Sequence, residues 1–261
     1  MKLKDRAIVV TGGANGIGAA MARRFAAEGA RGVAVVDLDG EGARRVAAEI
    51  GGLGLRADVS AEEDVQKVVG ECETRFGGID LFCSNAGVVL AGGVETPNAQ
   101  WERVWGINVM AHVYAARAVL PGMIERGEGY LLQTASAAGL LSQIGSATYS
   151  VTKHAAVAFA EYLAITHGDQ GIKVSVLCPQ AVRTNMIAGT EEGGVAGVDG
   201  ILEPEQVAEV VVQGLADERF LILPHPRVAE YLQRKTADYD RWLGGMRRLQ
   251  QKFVGGGFAR E

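Results

Sequence analysis

Short apolar runs alternate with longer stretches of helical periodicity along most of the chain. Seven runs rich in β-branched residues or leucine are predicted to be strands: 7–11, 33–37, 53–58, 79–84, 129–136, 173–179 and 219–224. Between them, apolar residues recur at helical spacing in six stretches: 17–29, 40–50, 61–76, 99–126, 147–167 and 204–216. Strands that alternate with helices form a parallel sheet covered on both faces. The sequence therefore predicts a doubly wound α/β fold with a seven-stranded parallel sheet.

A single domain is predicted for residues 1–261, because no proline-rich linker divides the chain and its length suits one large α/β unit. The segment 190–200 is rich in glycine and acidic residues, which predicts a mobile substrate loop at about 184–203. From about 226 to 253, apolar residues recur at helical spacing between basic ones. This pattern predicts a helical C-terminal tail that packs on its own core or on another subunit.

The charge balance and the cysteines restrict the class of partner. With 31 acidic and 26 basic residues the net charge is -5, which argues against a nucleic-acid or membrane-binding surface. Cys72, Cys83 and Cys178 are far apart in apolar or helical runs, so we expect buried thiols in a reducing cytoplasm. Only the four apolar residues 7–10 precede Thr11, too few for a signal sequence. A cytoplasmic enzyme acting on a small molecule is expected.

A glycine-rich segment, TGGANGIG at 11–18, follows the first predicted strand directly. After a buried strand the chain must turn sharply into a helix, and Gly12, Gly16 and Gly18 permit that turn and a close approach of backbone to ligand. The helix dipole and the first amide groups attract a diphosphate without a lysine, and the Lys-Ser/Thr ending of a P-loop is absent. The pattern predicts a Rossmann-like dinucleotide site.

Asp37 ends the second predicted strand and bears on which dinucleotide is bound. At that position a carboxylate accepts hydrogen bonds from the adenine-ribose hydroxyls and repels a 2′-phosphate. Neither Asn15 nor Leu38 and Asp39 brings a positive charge to neutralise such a phosphate. NAD is therefore favoured over NADP. The alternative is that Asp37 is a helix N-cap or turn residue.

Tyr149 and Lys153 lie four positions apart in a predicted helix, so their side chains share one face. A free phenol has a pKa near 10. A nearby ammonium, together with the positive charge of an oxidised nicotinamide, is expected to lower that pKa towards the working pH. Tyr149 then removes a proton from a substrate hydroxyl while hydride leaves the carbinol carbon, and acts as the acid in the reverse direction.

Together these motifs resemble the short-chain dehydrogenase/reductase family, in its single-domain branch, from about Lys4 to Leu223. The resemblance rests on TGGANGIG, on SNAG at 84–87, and on Ser136 with the Tyr149-x3-Lys153 pair. It implies four catalytic residues: Asn108, Ser136, Tyr149 and Lys153. Ser136 would hydrogen-bond the substrate oxygen, Lys153 would also hold the nicotinamide ribose, and Asn108 would orient a water that relays protons to Lys153.

The resemblance also implies a cofactor site and a substrate pocket. Its cofactor-binding residues are Gly12, Asn15, Gly16, Ile17, Gly18, Asp37, Leu38, Asp58, Val59, Asn85, Ala86, Gly87, Tyr149, Lys153, Pro179, Val182 and Thr184. The pocket candidates are Ser136, Ala138, Gln143, Tyr149, Gln180 and Met186, with Val88, Leu140 and Ile144. Gln180 replaces the glycine usual in the family after Pro179, and either meets a polar group of the substrate or points outward. The mostly apolar set favours a hydrophobic or cyclic secondary alcohol.

Three other functions fit the sequence less well. The four histidines lack ligand spacing, which disfavours a metal-dependent alcohol dehydrogenase. A nucleotide-sugar epimerase or dehydratase shares the Tyr-Lys pair, but usually has a different glycine pattern and a larger C-terminal domain. A non-catalytic NAD-binding scaffold or sensor would not require all four catalytic residues. The resemblance further implies a homo-oligomer, a tetramer or dimer, formed through 99–126 and 147–167.

Overall fold

A computed structural model of the protein describes residues 1–187 and 191–254. Within these residues seven strands form one sheet: β1 (Ala7–Thr11), β2 (Gly32–Asp37), β3 (Leu53–Arg56), β4 (Leu81–Ser84), β5 (Gly129–Thr134), β6 (Ile172–Leu177) and β7 (Leu221–Ile222). All neighbouring strands are parallel, in the order β3-β2-β1-β4-β5-β6-β7. The predicted fold is confirmed. The edge strands β3 and β7 and the central strand β4 are shorter than predicted.

Ten α-helices lie in the described part of the chain: α1 (Gly16–Ala27), α2 (Gly40–Ile50), α3 (Glu62–Phe76), α4 (Asn98–Trp105), α5 (Ala111–Arg126), α6 (Ala138–Leu141), α7 (Ala147–His167), α8 (Pro204–Ala216), α9 (Arg227–Ala237) and α10 (Tyr239–Val254). Successive side chains of a strand point to opposite faces of the sheet. On β1, Val9 packs in a core with α3, α5 and α7, whereas Ile8 and Val10 pack in a second core with α1, α2 and α8. The helices therefore cover both faces.

The predicted helix 99–126 is interrupted by a π-turn at Gly106–Met110. Such turns accommodate one extra residue and are frequent at functional sites. Asn108 lies within the turn and is fully buried. Among the described residues, the stretch Asn98–Arg126 is long and apolar enough to cross a membrane, but half of its most apolar window is buried inside the protein. Its apolar side chains pack against α3 and α7 and serve the core.

Two helices, α9 and α10, lie where the sequence predicts a helical tail, and polar contacts attach α9 to the body of the protein. Asp199 accepts hydrogen bonds from Arg227 (2.7 Å) and from the Tyr231 hydroxyl (3.0 Å). Lys235 donates to the carbonyl of Leu140 in α6 at 2.6 Å. In the predicted loop 184–203, short 3-10 turns span Asn185–Ile187 and Glu191–Gly197. Residues 188–190 of that loop and 255–261 of the predicted domain lie outside the described residues.

Candidate active site

A cleft of about 1450 Å³ opens at the carboxyl ends of the central strands. There β1 and β4 are neighbours, and the chain continues from β1 to β2 in one half of the sheet and from β4 to β5 in the other half. Doubly wound proteins bind ligands at such a reversal of strand order. The volume exceeds the roughly 300–1,000 Å³ of a drug-sized pocket, which leaves room for a cofactor and a substrate together.

The cleft brings together most of the predicted site residues. Those that line it are Gly12, Asn15, Gly16, Ile17, Gly18, Asp37, Asn85, Ala86, Gly87, Val88, Ser136, Ala138, Gln143, Ile144, Tyr149, Lys153, Pro179, Gln180, Val182, Thr184 and Met186. The residues that do not line it are Leu38, Asp58, Val59, Asn108 and Leu140.

The glycine loop between β1 and α1 forms a cradle that only a glycine-containing chain can make. Gly12 and Gly16 have φ values of +64° and +53°, in the left-handed region that favours glycine. A Cβ on Gly18 would lie 2.1 Å from the carbonyl oxygen of Gly12, and a Cβ on Gly12 would lie 2.9 Å from the Cα of Ala86. The loop thus places bare backbone and the start of α1 against the cleft, which fits the diphosphate of a dinucleotide.

Asn85 fastens this cradle to the neighbouring strands. Its side-chain amide donates to the carbonyl of Thr11 at 3.0 Å, and its backbone N–H donates to the Thr11 hydroxyl at 2.9 Å. The Thr134 hydroxyl in turn donates to the Asn85 side-chain oxygen at 3.1 Å. The ends of β1, β4 and β5 are therefore held together by one side chain. The predicted cofactor contact of Asn85 stays a prediction.

Asp37 is partly exposed in the cleft, with its carboxylate held in place. Its two oxygens accept backbone hydrogen bonds from Ala14 and Asp39, each at 3.0 Å. The N-cap of α2 is Asp39, which accepts from Gly42 at 3.0 Å, so the alternative of Asp37 as a helix cap is wrong. The alternative of a turn residue fits the contact with Asp39. Each carboxylate oxygen has a further lone pair available for a ligand.

Three other predicted cofactor contacts lie outside the cleft lining. Leu38 is 59% exposed. The Asp58 carboxylate accepts from the backbone and hydroxyl of Ser60 at 2.9 and 2.7 Å, so it completes its own turn. Val59 follows in the same turn and is buried. Sequence position alone does not reveal these local hydrogen bonds. The contacts of all three residues with a cofactor remain predictions.

Tyr149 and Lys153 face the cleft from successive turns of α7, and Ser136 faces it from the end of β5. The Lys153 ammonium lies 5.6 Å from the centre of the Tyr149 ring. Lys153 is buried and donates to the carbonyl of Thr134 at 2.9 Å. The Ser136 hydroxyl donates to the carbonyl of Pro179 over a long 3.3 Å and accepts from Ala138. A phenol, an ammonium and a hydroxyl therefore converge on one region.

Burial dominates the acidity of these groups. It raises the pKa of the Tyr149 phenol, while a hydrogen bond with Ser136 acts in the opposite direction. It also lowers the pKa of Lys153 to about 8. The predicted lowering of the Tyr149 pKa is therefore wrong for the protein alone, because removing the phenolate from water outweighs the effect of the Ser136 hydroxyl. The further effect predicted for an oxidised nicotinamide remains a prediction.

Asn108 does not line the cleft, but it hydrogen-bonds residues that surround it. Its amide nitrogen donates to the carbonyl of Val88 at 2.9 Å and to the Thr152 hydroxyl at 3.1 Å. Its amide oxygen accepts from the Val88 N–H at 2.9 Å. These bonds clamp the segment after β4 against α7, beside Lys153. The predicted relay of protons through a water at Asn108 stays a prediction.

Gln180, the departure from the family pattern, lines the cleft next to Pro179, whose carbonyl accepts the hydrogen bond of Ser136. Its backbone N–H donates to Nδ1 of His225 at 3.1 Å, which fixes the turn after β6. Within the described part of the protein, its side-chain oxygen is buried without a hydrogen-bond partner. A buried acceptor left in this state is poised for a ligand donor. The alternative that Gln180 points outward is disfavoured by its place in the lining.

Residues of the C-terminal tail also line the cleft. Trp242, Met246 and Leu249 contribute apolar surface from α10, with Arg241 and Arg248 beside them. The helical spacing of apolar residues in the tail predicts an amphipathic helix, but spacing does not identify the surface that it covers.

No cluster of three or more His, Cys, Asp or Glu side chains suited to a metal ion occurs among residues 1–187 and 191–254.

Comparison with known proteins gives a consistent result. The family model described as short chain dehydrogenase matches residues 6–193. The chain is 39% identical to 1-deoxy-11-beta-hydroxypentalenate dehydrogenase of Streptomyces exfoliatus, over 85% of this chain and 84% of that protein. It is 33% identical to meso-2,3-butanediol dehydrogenase of Serratia marcescens, over 85% and 92%. A crystal structure of a short chain dehydrogenase/reductase from Burkholderia phymatum in complex with NAD superposes with a TM-score of 0.83, at 27% identity, over 92% and 96% of the two chains.

Proposed function

The chain belongs to the short-chain dehydrogenase family, and we propose that it is an NAD-dependent alcohol dehydrogenase that interconverts a secondary alcohol and its ketone. One observation carries the proposal: Tyr149, Lys153 and Ser136 line the same cleft as the glycine loop and Asp37. The relatives named above are dehydrogenases of a hydroxypentalenate and a butanediol, which supports a hydroxylated substrate.

In this proposal Tyr149 is the general acid and base. When bound, NAD supplies the hydride acceptor for alcohol oxidation and, in its reduced form, the hydride donor for ketone reduction. During oxidation the Tyr149 phenolate accepts the proton of the substrate hydroxyl. The Ser136 hydroxyl turns from its long bond with Pro179 to the substrate oxygen and fixes that oxygen beside the phenol. Lys153 uses one N–H on Thr134, and its remaining N–H groups stabilise the phenolate.

The apolar part of the lining supports an apolar or cyclic substrate. Val88, Ile144 and Met186 surround the region in front of Tyr149, and the Met186 sulfur lies 3.9 Å from the Tyr149 hydroxyl. A hydrocarbon ring buried against such side chains gains roughly 25 cal/mol per Å² of apolar surface. Gln180 then offers a hydrogen-bond acceptor to a second polar group of the substrate.

The test of the proposed function is a panel of apolar secondary alcohols and ketones followed by NADH absorbance at several pH values. We expect NAD reduction with at least one alcohol, and a rate that rises as the pH rises through neutral to alkaline values. The sign follows from the raised pKa of Tyr149: below that pKa the phenol is protonated, so the base form needed for oxidation is scarce. Ketone reduction uses the phenol and should show the opposite trend. Absence of turnover with every member would contradict the proposal.

Cofactor choice is proposed to depend on Asp37. We expect the wild type to bind NADH at least about 100-fold more tightly than NADPH, because a carboxylate repels the extra phosphate. Asp37→Ala should narrow this ratio about tenfold or more, mainly by weakening the binding of NADH. Fluorescence titration with both reduced cofactors measures the ratio, and Asp39→Ala is the control because that side chain caps α2. Tighter binding of NADPH by the wild type would overturn this assignment.

The alternative of a non-catalytic NAD-binding scaffold differs from the proposal in one measurable outcome: it binds NADH but oxidises no alcohol. The epimerase or dehydratase alternative predicts turnover of a nucleotide sugar without net NADH release. The assembly of the protein as a tetramer or dimer and its cytoplasmic location are part of the proposal.

A further inference from the structure

Two arginines of α10 line the cleft, Arg241 and Arg248. They are seven residues apart, so they lie on the same face of the helix, separated by roughly 10 Å along its axis. Beside them Trp242 and Leu249 contribute half-buried apolar surface to the same wall. The wall is therefore a hydrocarbon surface flanked by two positive charges.

Among the described residues, no ion pair neutralises these two charges. The two arginines of α9 are paired, since Arg227 contacts Asp199 at 2.7 Å and Arg234 contacts Glu230 at 3.5 Å. In the described part of the chain, neither Arg241 nor Arg248 has a carboxylate within ion-pair distance of its guanidinium. The Asp238 side chain, which also lines the cleft, accepts from the backbone N–H of Arg241 at 2.9 Å and so caps α10.

The tail that carries these arginines is attached to the body of the protein through α9. The preceding helix α9 is bonded to Asp199 and to the carbonyl of Leu140, and the cap at Asp238 sets where α10 begins. A guanidinium presents a planar pair of N–H donors that matches a carboxylate, and such charge-assisted bonds are strong where apolar surface excludes water.

We propose that the substrate carries a carboxylate on a hydrocarbon skeleton, and that Arg241 and Arg248 bind this carboxylate while the carbinol lies at Tyr149. The inference rests on the proposed function and deepens it, because it adds a charge requirement to an apolar alcohol. The apolar wall of α10 binds the skeleton, and the arginines select the anion over neutral analogues. The arginines are not needed to bind the cofactor, because the glycine loop fits its diphosphate.

The experiment compares a charged and a neutral probe, 4-hydroxycyclohexanecarboxylate and its methyl ester, in the wild type and three variants. We expect the wild type to oxidise the carboxylate with a kcat/KM about 10- to 100-fold higher than that of the ester at low salt. The preference should shrink as the ionic strength rises, because screening weakens the attraction. Arg241→Ala and Arg248→Ala should each remove most of it, through KM. The matched control is Arg247→Ala, a neighbour in α10 that does not line the cleft and should keep the preference.

Each result decides the matter. Equal use of the two probes, preference for the ester, or a preference that survives both cleft substitutions overturns the inference while the proposed dehydrogenase stands. The same holds if neutral alcohols are oxidised but neither probe is. Weaker NADH binding in Arg241→Ala or Arg248→Ala, measured by fluorescence titration, would assign these arginines to the cofactor and also overturn it. If no alcohol at all is oxidised, the proposed function itself has failed.

Discussion

Tyr149→Phe should lower kcat for alcohol oxidation by about 10²–10⁴-fold, the range in which a positioned acid or base contributes. The phenyl ring keeps the shape and the apolar contacts of the side chain but has no proton to exchange. Lys153 remains buried on the carbonyl of Thr134, so the cleft keeps its form. We therefore expect the dissociation constant for NADH to change by no more than about twofold, since the lost hydroxyl acts mainly on the substrate.

The control for this result is Tyr162→Phe, which makes the same chemical change in the same helix. Tyr162 is 59% exposed and does not line the cleft, so its substitution should leave turnover unchanged. Initial rates of NADH formation and a fluorescence titration with NADH separate chemistry from binding. Turnover of Tyr149→Phe within tenfold of the wild type would exclude Tyr149 as the general base.

Gly18→Ala should abolish cofactor binding while leaving most of the fold in place. The new methyl group would lie 2.1 Å from the carbonyl oxygen of Gly12, and backbone cannot move aside as the end of a flexible side chain can. Relief of this clash displaces the glycine loop from the position at which its N–H groups meet a diphosphate. We expect the affinity for NADH to fall by at least about 100-fold, as several charge-assisted hydrogen bonds are lost together.

Gly70→Ala provides the matched control for Gly18→Ala. Gly70 lies in α3, and a Cβ there would meet no atom within 4 Å. Alanine is the better helix former by about 1 kcal/mol, so this variant should bind NADH normally and unfold at a slightly higher temperature. Circular dichroism shows whether each variant is folded, and titration gives its affinity. If Gly18→Ala is folded and binds NADH like the wild type, the glycine loop is not the diphosphate site.

The sheet was predictable because its pattern is local. Strands such as β1 and β4 are continuous apolar runs, and buried parallel strands have few other compositions. The edges of elements were less predictable, since the end of a strand depends on its neighbours in space. β7 is two residues long where six were expected. The π-turn around Asn108 has no signature in helical periodicity and appears only in three dimensions.

Residues of the candidate site were predictable where backbone geometry restricts the choice of residue. Gly12 and Gly18 have positions that a side chain cannot occupy, and Tyr149 and Lys153 share a face through helical spacing alone. Which residues of α10 face the cleft was not predictable, because helical spacing does not identify the surface that an amphipathic helix covers. Acidity was misjudged for a similar reason: the charge of Lys153 is visible in sequence, whereas the burial that raises the pKa of Tyr149 is not.

The hydrogen bonds of Asn85 have a consequence for how the chain folds. This residue joins Thr11 and Thr134, which are 74 and 49 positions away along the chain. Contacts of such long sequence separation form slowly, because each requires a large loop to close first. Parallel pairing of β1, β4 and β5 must precede them, and two crossovers must already be made. We therefore expect the cradle to be completed late in folding, so that NADH affinity reports on the finished centre of the sheet.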